Sequence, residues 1–279
     1  MECIAELETG TLAGLLALVR EHTGIAMTER KSALLEGRLR PRLRDLGLDG
    51  YEPYLALLRR GGAEVQQFIN MVTTNDTLFF RTPAVWDWFA SVFLPAWRHA
   101  LEQAGEQRVL RIWSAAAASG EEAYSIVMLC EQFRRAYPAL RYQVLATDIS
   151  TQALEEAARG VYAGRSAERL RATHPGMVAA WFRDDGDSLA ASAELKSHVQ
   201  FGLHNLFAAP SGLAPFDLIF LRNVLIYFDE ENQRRVLGHV RRLMTPAARL
   251  VIGEQESITR INTPFVFEQA HIYQRGSDV

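Results

Sequence analysis

Two blocks of this chain constrain its fold more than any others, WSAAAASGEEAYS at Trp113 to Ser125 and TDIS at Thr147 to Ser150. Each is entered from an apolar run of strand length, Val109 to Trp113 in one case and Tyr142 to Thr147 in the other. The first block passes through small residues into two glutamates and then into apolar residues at helical spacing, which reads as strand, tight turn, helix. The second ends its strand on a carboxylate, Asp148. In doubly wound sheets a carboxylate at that place holds a ribose diol. Together the blocks imply an adenosine-containing ligand.

The turn is not a phosphate loop. Ala115, Ala116, Ala117 and Ala118 stand where close approach to a pyrophosphate would ask for glycine, and only Gly120 remains. Glu121 and Glu122 open the helix, where the partial positive charge would otherwise attract a phosphate. The ligand implied is cationic or zwitterionic. S-adenosylmethionine, with a sulfonium, an ammonium and no phosphate, meets that description. The other reading is an acidic first turn that serves the helix dipole alone.

At 279 residues the chain has room for one large domain or two modest ones. Its 48% hydrophobic and 23% charged residues are ordinary for a soluble globular protein. No apolar run approaches the roughly 20 residues of a membrane span, so no membrane insertion is expected. MECIAELETG has no basic region followed by an apolar core, so no signal peptide is expected and the location is read as cytoplasmic. Cys3 and Cys130 form neither a disulfide framework nor a ligand cluster, and Cys130 sits in a helical apolar pattern that suits a core thiol. The seven histidines show no ligand spacing, so no metal is expected. A net charge of −3 gives no reason to expect nucleic acid.

Charge distribution says more. Arg30, Lys31, Arg38, Arg40, Arg42 and Arg44 crowd a segment whose leucines, Leu35, Leu39, Leu43 and Leu46, recur at helical spacing. Its basic face is either simply solvated or a docking surface for an acidic partner. Pro41 removes a backbone donor and predicts a kink or break.

Residues 1–80 carry helical spacing and no alternating strand, which predicts a small all-helical N-terminal domain. An aromatic-rich helix follows over Pro83 to Ala104. Residues 81–279 form the second domain, in which strands and helices alternate after Arg108. Strands are predicted at Val109 to Trp113, Tyr142 to Thr147, Val199 to Leu203, Phe216 to Leu221, Arg249 to Gly253 and Val266 to Tyr273. Such alternation argues for an α/β fold with a mostly parallel sheet and a ligand at its C-terminal strand ends. The interval 160–197 is too long for a plain connection and contains a turn signal, DDGD at Asp184 to Asp187, so it is read as an inserted subdomain.

With these blocks in place the chain resembles the chemoreceptor glutamate methyltransferases, the CheR-type enzymes of bacterial chemosensory systems. The resemblance rests on TTNDTLFFR (Thr73 to Arg81), the two blocks above, HNLF (His204 to Phe207) and RNVLIYFDEENQ (Arg222 to Gln233), in the family's order. It implies a class I (Rossmann-like) methyltransferase domain, a helical N-terminal domain and a small antiparallel β subdomain inserted at 160–197. It implies S-adenosylmethionine as cofactor, S-adenosylhomocysteine as product, and methyl esterification of glutamates in the cytoplasmic helices of chemoreceptors. By motif, Asn75, Thr77 and Arg81 help bind the cofactor, Glu121 meets its ammonium, Asp148 the ribose, and Asn205 with Leu206 the adenine. Arg222, Asn223 and Tyr227 lie along the cofactor and acceptor side, with Arg81 and Tyr227 at the reacting centre. Taken singly, Asn75 and Thr77 also suit a turn or cap, Asp148 a helix cap, and Tyr227 half-buried packing.

The resemblance places receptor contacts on the N-terminal domain, which favours docking through the basic segment. The short loop around Asp184 to Ser188 points to an enzyme independent of a receptor C-terminal peptide. Three departures stand out: Gly253, Glu254, Gln255 and Glu256 replace the common Gly-His-Ser-Glu, Thr245 to Ala248 replace a glycine-rich turn, and Leu221 stands where phenylalanine is frequent. A methyltransferase for another acceptor, or a cofactor-binding regulatory module, are the rival readings.

Overall fold

In the N-terminal third, apolar residues three and four apart give four helices: α1 (Thr9–Thr23), α2 (Ser32–Asp45), α3 (Tyr51–Arg59) and α4 (Ala63–Val72). The computed structural model describes residues 7–276, so Cys3 lies outside the described residues. These helices bury a core of their own around Leu15, Val19, Leu35, Leu39, Tyr54 and Phe68. α1 stops at Gly24, whose φ of +74° carries a left-handed cap and whose N–H reaches the Arg20 carbonyl at 2.9 Å.

α2 runs unbroken through Pro41, contrary to the expected kink or break. Pro41 and Gly37 both lie on the exposed face, so the carbonyl that loses its intrahelical partner faces water, while Leu35, Leu39 and Leu43 hold the other face in the core. The basic face is also less free than its composition suggests. Arg42 forks onto Glu64 at 3.0 and 2.6 Å, and Arg38 donates to the carbonyls of Val72 and Thr73 and to the Thr74 hydroxyl. The Arg42 guanidinium holds the Glu64 carboxyl below its usual range.

α5 (Pro83–Trp88) and α6 (Leu94–Ala104) are joined through a π turn at Phe89–Phe93 into one helical run. Its aromatic residues meet the sheet, Trp86 stacking on Phe220 at 5.6 Å and Phe89 meeting the same ring edge-on. Then come β1 (Leu110–Ser114), α7 (Glu121–Ala136), β2 (Tyr142–Asp148) and α8 (Thr151–Arg159). Cys130 is fully buried in α7, and burial pushes its thiol well up, as suits a core residue.

The interval after α8 forms a three-stranded antiparallel sheet of β3 (Val161–Ala163), β4 (Phe182–Asp184) and β5 (Ser188–Ala191), in the order β3-β5-β4. Helices α9 (Gly164–Thr173), α10 (Pro175–Trp181) and α11 (Ala193–Ser197) accompany it. DDGD makes the β4–β5 turn, with Asp185 accepting from the Asp187 and Ser188 N–H groups.

The main sheet is completed by β6 (Val199–Leu203), β7 (Phe216–Leu221), β8 (Met244–Ile252), β9 (Phe265–Gln269) and β10 (Ile272–Arg275), with α12 (Glu230–Arg242) between β7 and β8. Its order is β6-β2-β1-β7-β8-β10-β9. The first five strands are parallel and β10 is antiparallel to both neighbours. Val266 to Tyr273, expected as one strand, is therefore a hairpin that reverses at His271 with φ +68°. Its apolar residues do not distinguish one strand from two. Thr245 to Ala248, expected as a turn, belong to β8, where the register shifts against β7 between Phe216 and Leu218.

Candidate cofactor and acceptor site

Five parallel strands leave their C-terminal ends on one side, and the loops that follow β1, β2, β6 and β7 line a cavity of about 1110 Å³, counting its open mouth. Ala115, Ala116 and Ala118 form part of the wall. Gly120 lets this turn enter α7: its φ is +93°, and a Cβ there would come within 2.9 Å of the Ala157 Cβ. The roof comes from the helical N-terminal unit, through Thr23, Ile25, Met27 and Arg38.

Asp148 ends β2 inside this cavity and is buried. One carboxylate oxygen accepts the Ala118 N–H at 2.9 Å and the other the Ser150 N–H at 2.9 Å. Each oxygen keeps acceptor capacity for a ligand hydroxyl. Ser150, not Asp148, caps α8 by accepting from the Ala153 N–H. Burial holds the Asp148 carboxyl above the ordinary aspartate range, against the lowering effect of its backbone donors.

The two glutamates of the turn part company. Successive residues on a helix point about 100° apart, and here only Glu122 lines the cavity. Its Oε2 meets Nη1 of Arg222 at 3.1 Å and its Oε1 accepts from the Ser114 hydroxyl at 2.8 Å. Glu121 turns to Ser119 and Ser166 instead, away from the cavity lining. Burial raises both carboxyls; at Glu122, Arg222 opposes the shift.

Asn75, Thr77, Leu206, Asn223 and Tyr227 all line the cavity. So does Asn205, but its side chain is occupied: Nδ2 donates to the His22 carbonyl at 2.7 Å and Oδ1 accepts the Phe207 N–H at 3.0 Å. Its amide therefore ties the loop after β6 to the end of α1. The two arginines differ. Arg222 is deeply buried and donates onward to the Arg81 carbonyl at 2.9 Å and the Thr82 hydroxyl at 2.7 Å. Arg81 is 28% exposed and has Asp76 3.6 Å away.

Four of the five non-glycine residues with positive φ among the described residues, Phe80, Thr82, Ala118 and Asn223, lie in these segments. Such conformations cost of order 1–3 kcal/mol each and persist where the surroundings hold them. Asp148 holds Ala118, and Arg222 and Glu254 hold the Thr82 hydroxyl. Glu256 holds Asn223 through the backbone N–H at 2.9 Å.

Sequence reasoning placed Glu121, not Glu122, in the site, and it missed the roof from the N-terminal unit. The adjacent glutamates were the available signal for the first. No sequence signal announced the second, because the contacts bridge segments such as His22 and Asn205 that are far apart in the chain.

The residues fit S-adenosylmethionine on the geometry. Asp148 offers spare acceptor capacity at a small-residue turn, and at the start of α7 Arg222 is already paired with Glu122. Among the described residues no group of three or more His, Cys, Asp or Glu side chains is placed to hold a metal ion. A parallel sheet closed by an antiparallel terminal hairpin, with this turn and this carboxylate, defines a class I S-adenosylmethionine-dependent methyltransferase.

The chain belongs to the CheR methyltransferase family. Residues 11–73 match that family's all-alpha domain and residues 75–274 its S-adenosylmethionine-binding domain. The chemotaxis protein methyltransferase of Escherichia coli K12 is 35% identical, over 94% of this chain and 89% of its own. That of Klebsiella aerogenes is 37% identical over 92% and 86%, and chemotaxis protein methyltransferase 2 of Pseudomonas aeruginosa 36% over 84% and 82%.

Proposed function

We propose that this chain is a protein-glutamate O-methyltransferase that esterifies glutamate side chains in the cytoplasmic helices of methyl-accepting chemoreceptors, with S-adenosylhomocysteine as the second product. The observation that carries the reading is one cavity, in a CheR-family chain, that Asp148, Arg81, Arg222 and Tyr227 line together; the reading assigns Asp148 to the adenosine end and the other three to the acceptor end. The bound cofactor supplies a methyl group activated by a sulfonium, which leaves as a neutral thioether.

A glutamate side chain, with a pKa of about 4.3, is already the nucleophile at neutral pH. No general base is required, and the protein's work is alignment, which can supply up to roughly 7–11 kcal/mol in favourable models. In this reading Asp148 accepts from the ribose hydroxyls, while Asn205 and Leu206 flank the adenine through their backbone. Glu122, in place of Glu121, faces the ammonium, and Asn75, Thr77 and Asn223 complete the wall. Arg222, neutralised by Glu122, sets the shape of the acceptor end. Arg81 and the Tyr227 hydroxyl orient the incoming carboxylate. Holding that carboxylate too tightly would oppose the reaction, since its charge is consumed in the transition state. A half-buried arginine shared with Asp76 suits that requirement.

Receptor docking falls to the basic N-terminal surface, but through Arg30, Lys31 and Arg44, which are exposed; Arg38 and Arg42 serve the fold. The division of labour then follows residues 1–80 for docking, 81–279 for transfer and 160–197 as the inserted subdomain, with the protein working in the cytoplasm. The test is incubation with methyl-labelled S-adenosylmethionine and cytoplasmic receptor fragments from the same organism. Mild alkali should release labelled methanol; cofactor binding without any transfer would reassign the acceptor or leave a regulatory module.

A further inference from the structure

The segment Gly253 to Glu256, where this chain departs from the family's common residues, ends on a buried carboxylate that the reaction does not touch. Glu256 Oε2 accepts the N–H groups of Gly253 at 2.6 Å and Asn223 at 2.9 Å. Its Oε1 accepts those of Val224 at 2.8 Å and Leu225 at 2.7 Å. Two donors on each oxygen fill its acceptor capacity. All four partners are backbone groups.

Three of those donors are consecutive, and they open the 3-10 turn Leu225–Tyr227 that follows Arg222. Asn223 sits at φ +58°, in the left-handed region that asparagine adopts more readily than other non-glycine residues, and here its backbone is also held by a hydrogen bond. A carboxylate at the free N–H groups of a helical turn satisfies donors that otherwise have no partner. Gly253 is part of the device, because a Cβ there would stand 2.7 Å from Glu256 Oε2 and 2.8 Å from the Asn223 nitrogen.

We propose that Glu256 is a positioning residue for methyl transfer: its carboxylate fixes the backbone of residues 223–225 and thereby the place of Tyr227 relative to Arg222. The proposal rests on the assignment of Tyr227 and Arg222 to the acceptor end. Glu256 spends its hydrogen bonds on the Gly253, Asn223, Val224 and Leu225 N–H groups, so of the residues assigned to cofactor binding it holds only Asn223, and its loss should affect turnover far more than affinity. Glu256→Gln replaces one carboxylate oxygen by an NH₂ group that must face two N–H donors, whichever way the amide turns.

The experiment measures receptor methylation and S-adenosylhomocysteine binding by calorimetry on the wild-type protein, Glu256→Gln and Glu256→Asp, with rates taken per mole of binding-competent protein. In Glu256→Gln, turnover at saturating cofactor should fall at least tenfold while affinity for S-adenosylhomocysteine stays within about threefold. Glu256→Asp keeps the charge and should recover part of the turnover. If Glu256→Gln does not fold, the aspartate variant carries the comparison against wild type, with the same split of turnover from binding expected. Turnover within twofold of wild type, or binding and turnover lost in parallel, would overturn the proposal. Absence of methylation by the wild-type protein would instead sink the reaction assigned above.

Discussion

The two ends that the proposed function assigns to the cavity are held by different means. At the adenosine end a buried carboxylate, Asp148, spends part of its acceptor capacity on the loop around it and keeps the rest for a ligand. The segments beside it are tied to the helical N-terminal unit. Gln66 and Asn70 of α4 bind the Ile149 carbonyl and the backbone and hydroxyl of Thr151, and Asn205 binds the end of α1. At the acceptor end one arginine is locked in the interior and the other is shared with an exposed aspartate. Tight binding calls for rigid, preformed acceptors, whereas a carboxylate that must lose its charge calls for guidance without deep stabilisation. The contrast teaches that a buried charge reports on function only once its unspent hydrogen-bonding capacity has been counted.

The comparison breaks most visibly at Asp148. Hydrogen bonds to charged groups contribute about 1.5–3 kcal/mol each, so Asp148→Ala should weaken S-adenosylhomocysteine binding by about a hundredfold in calorimetry. Retained affinity would remove the ribose role. Tyr227→Phe should act at the other end alone, lowering turnover on receptor fragments by about tenfold with cofactor affinity unchanged, the loss expected of one oriented hydroxyl.

pH separates the ends further. Asp148 and Glu122 both have carboxyls raised by burial. Binding needs the ionised acceptor, so affinity should be full near neutrality and fall as pH drops through those raised values, earlier than an exposed carboxylate would allow. For stability the sign is opposite: the folded chain holds these protons more tightly, so their contribution declines as pH rises from the ordinary carboxylate range through the raised values. Asp148→Asn should flatten the acid limb of binding measured by calorimetry at several pH values. A limb that survives unchanged belongs to Glu122.

Smaller effects test the ties to the N-terminal unit. Asn232 is buried and donates to the Gly24 carbonyl at 2.8 Å, next to the Ala26 N–H that reaches the Tyr227 carbonyl. Asn232→Ala should cost about 1–3 kcal/mol, seen as a fall in Tm of several degrees, with a few-fold loss in both binding and turnover. An effect on turnover alone would place this tie with the acceptor end. Charge reversal at Arg30 and Arg44, neither of which lines the cavity, should lower kcat/KM for receptor a few-fold, more at low salt, and leave S-adenosylhomocysteine affinity intact. Arg42→Glu is the control: it abandons Glu64, and its loss should appear in Tm.

Much of this molecule was legible before any coordinates. Strand-length apolar runs and helical spacing depend on neighbours in sequence, so α7, β2 and the aromatic helix could be placed from the chain alone. Asp148 could be placed because a carboxylate at a strand end has few uses, and the turn could be read as unsuited to phosphate from its alanines and glutamates. The tertiary structure decided what depends on direction and long-range contact: which of Glu121 and Glu122 faces the cavity, that Arg38 and Arg42 brace the fold, and that α2 runs through Pro41. It alone brought residues 22–27 over the loops after β6 and β7, and Glu256 beneath Asn223. The reason is physical. Propensity and periodicity act over a few residues, whereas the filling of a carboxylate's last acceptor site is set by whichever distant donors packing brings to it.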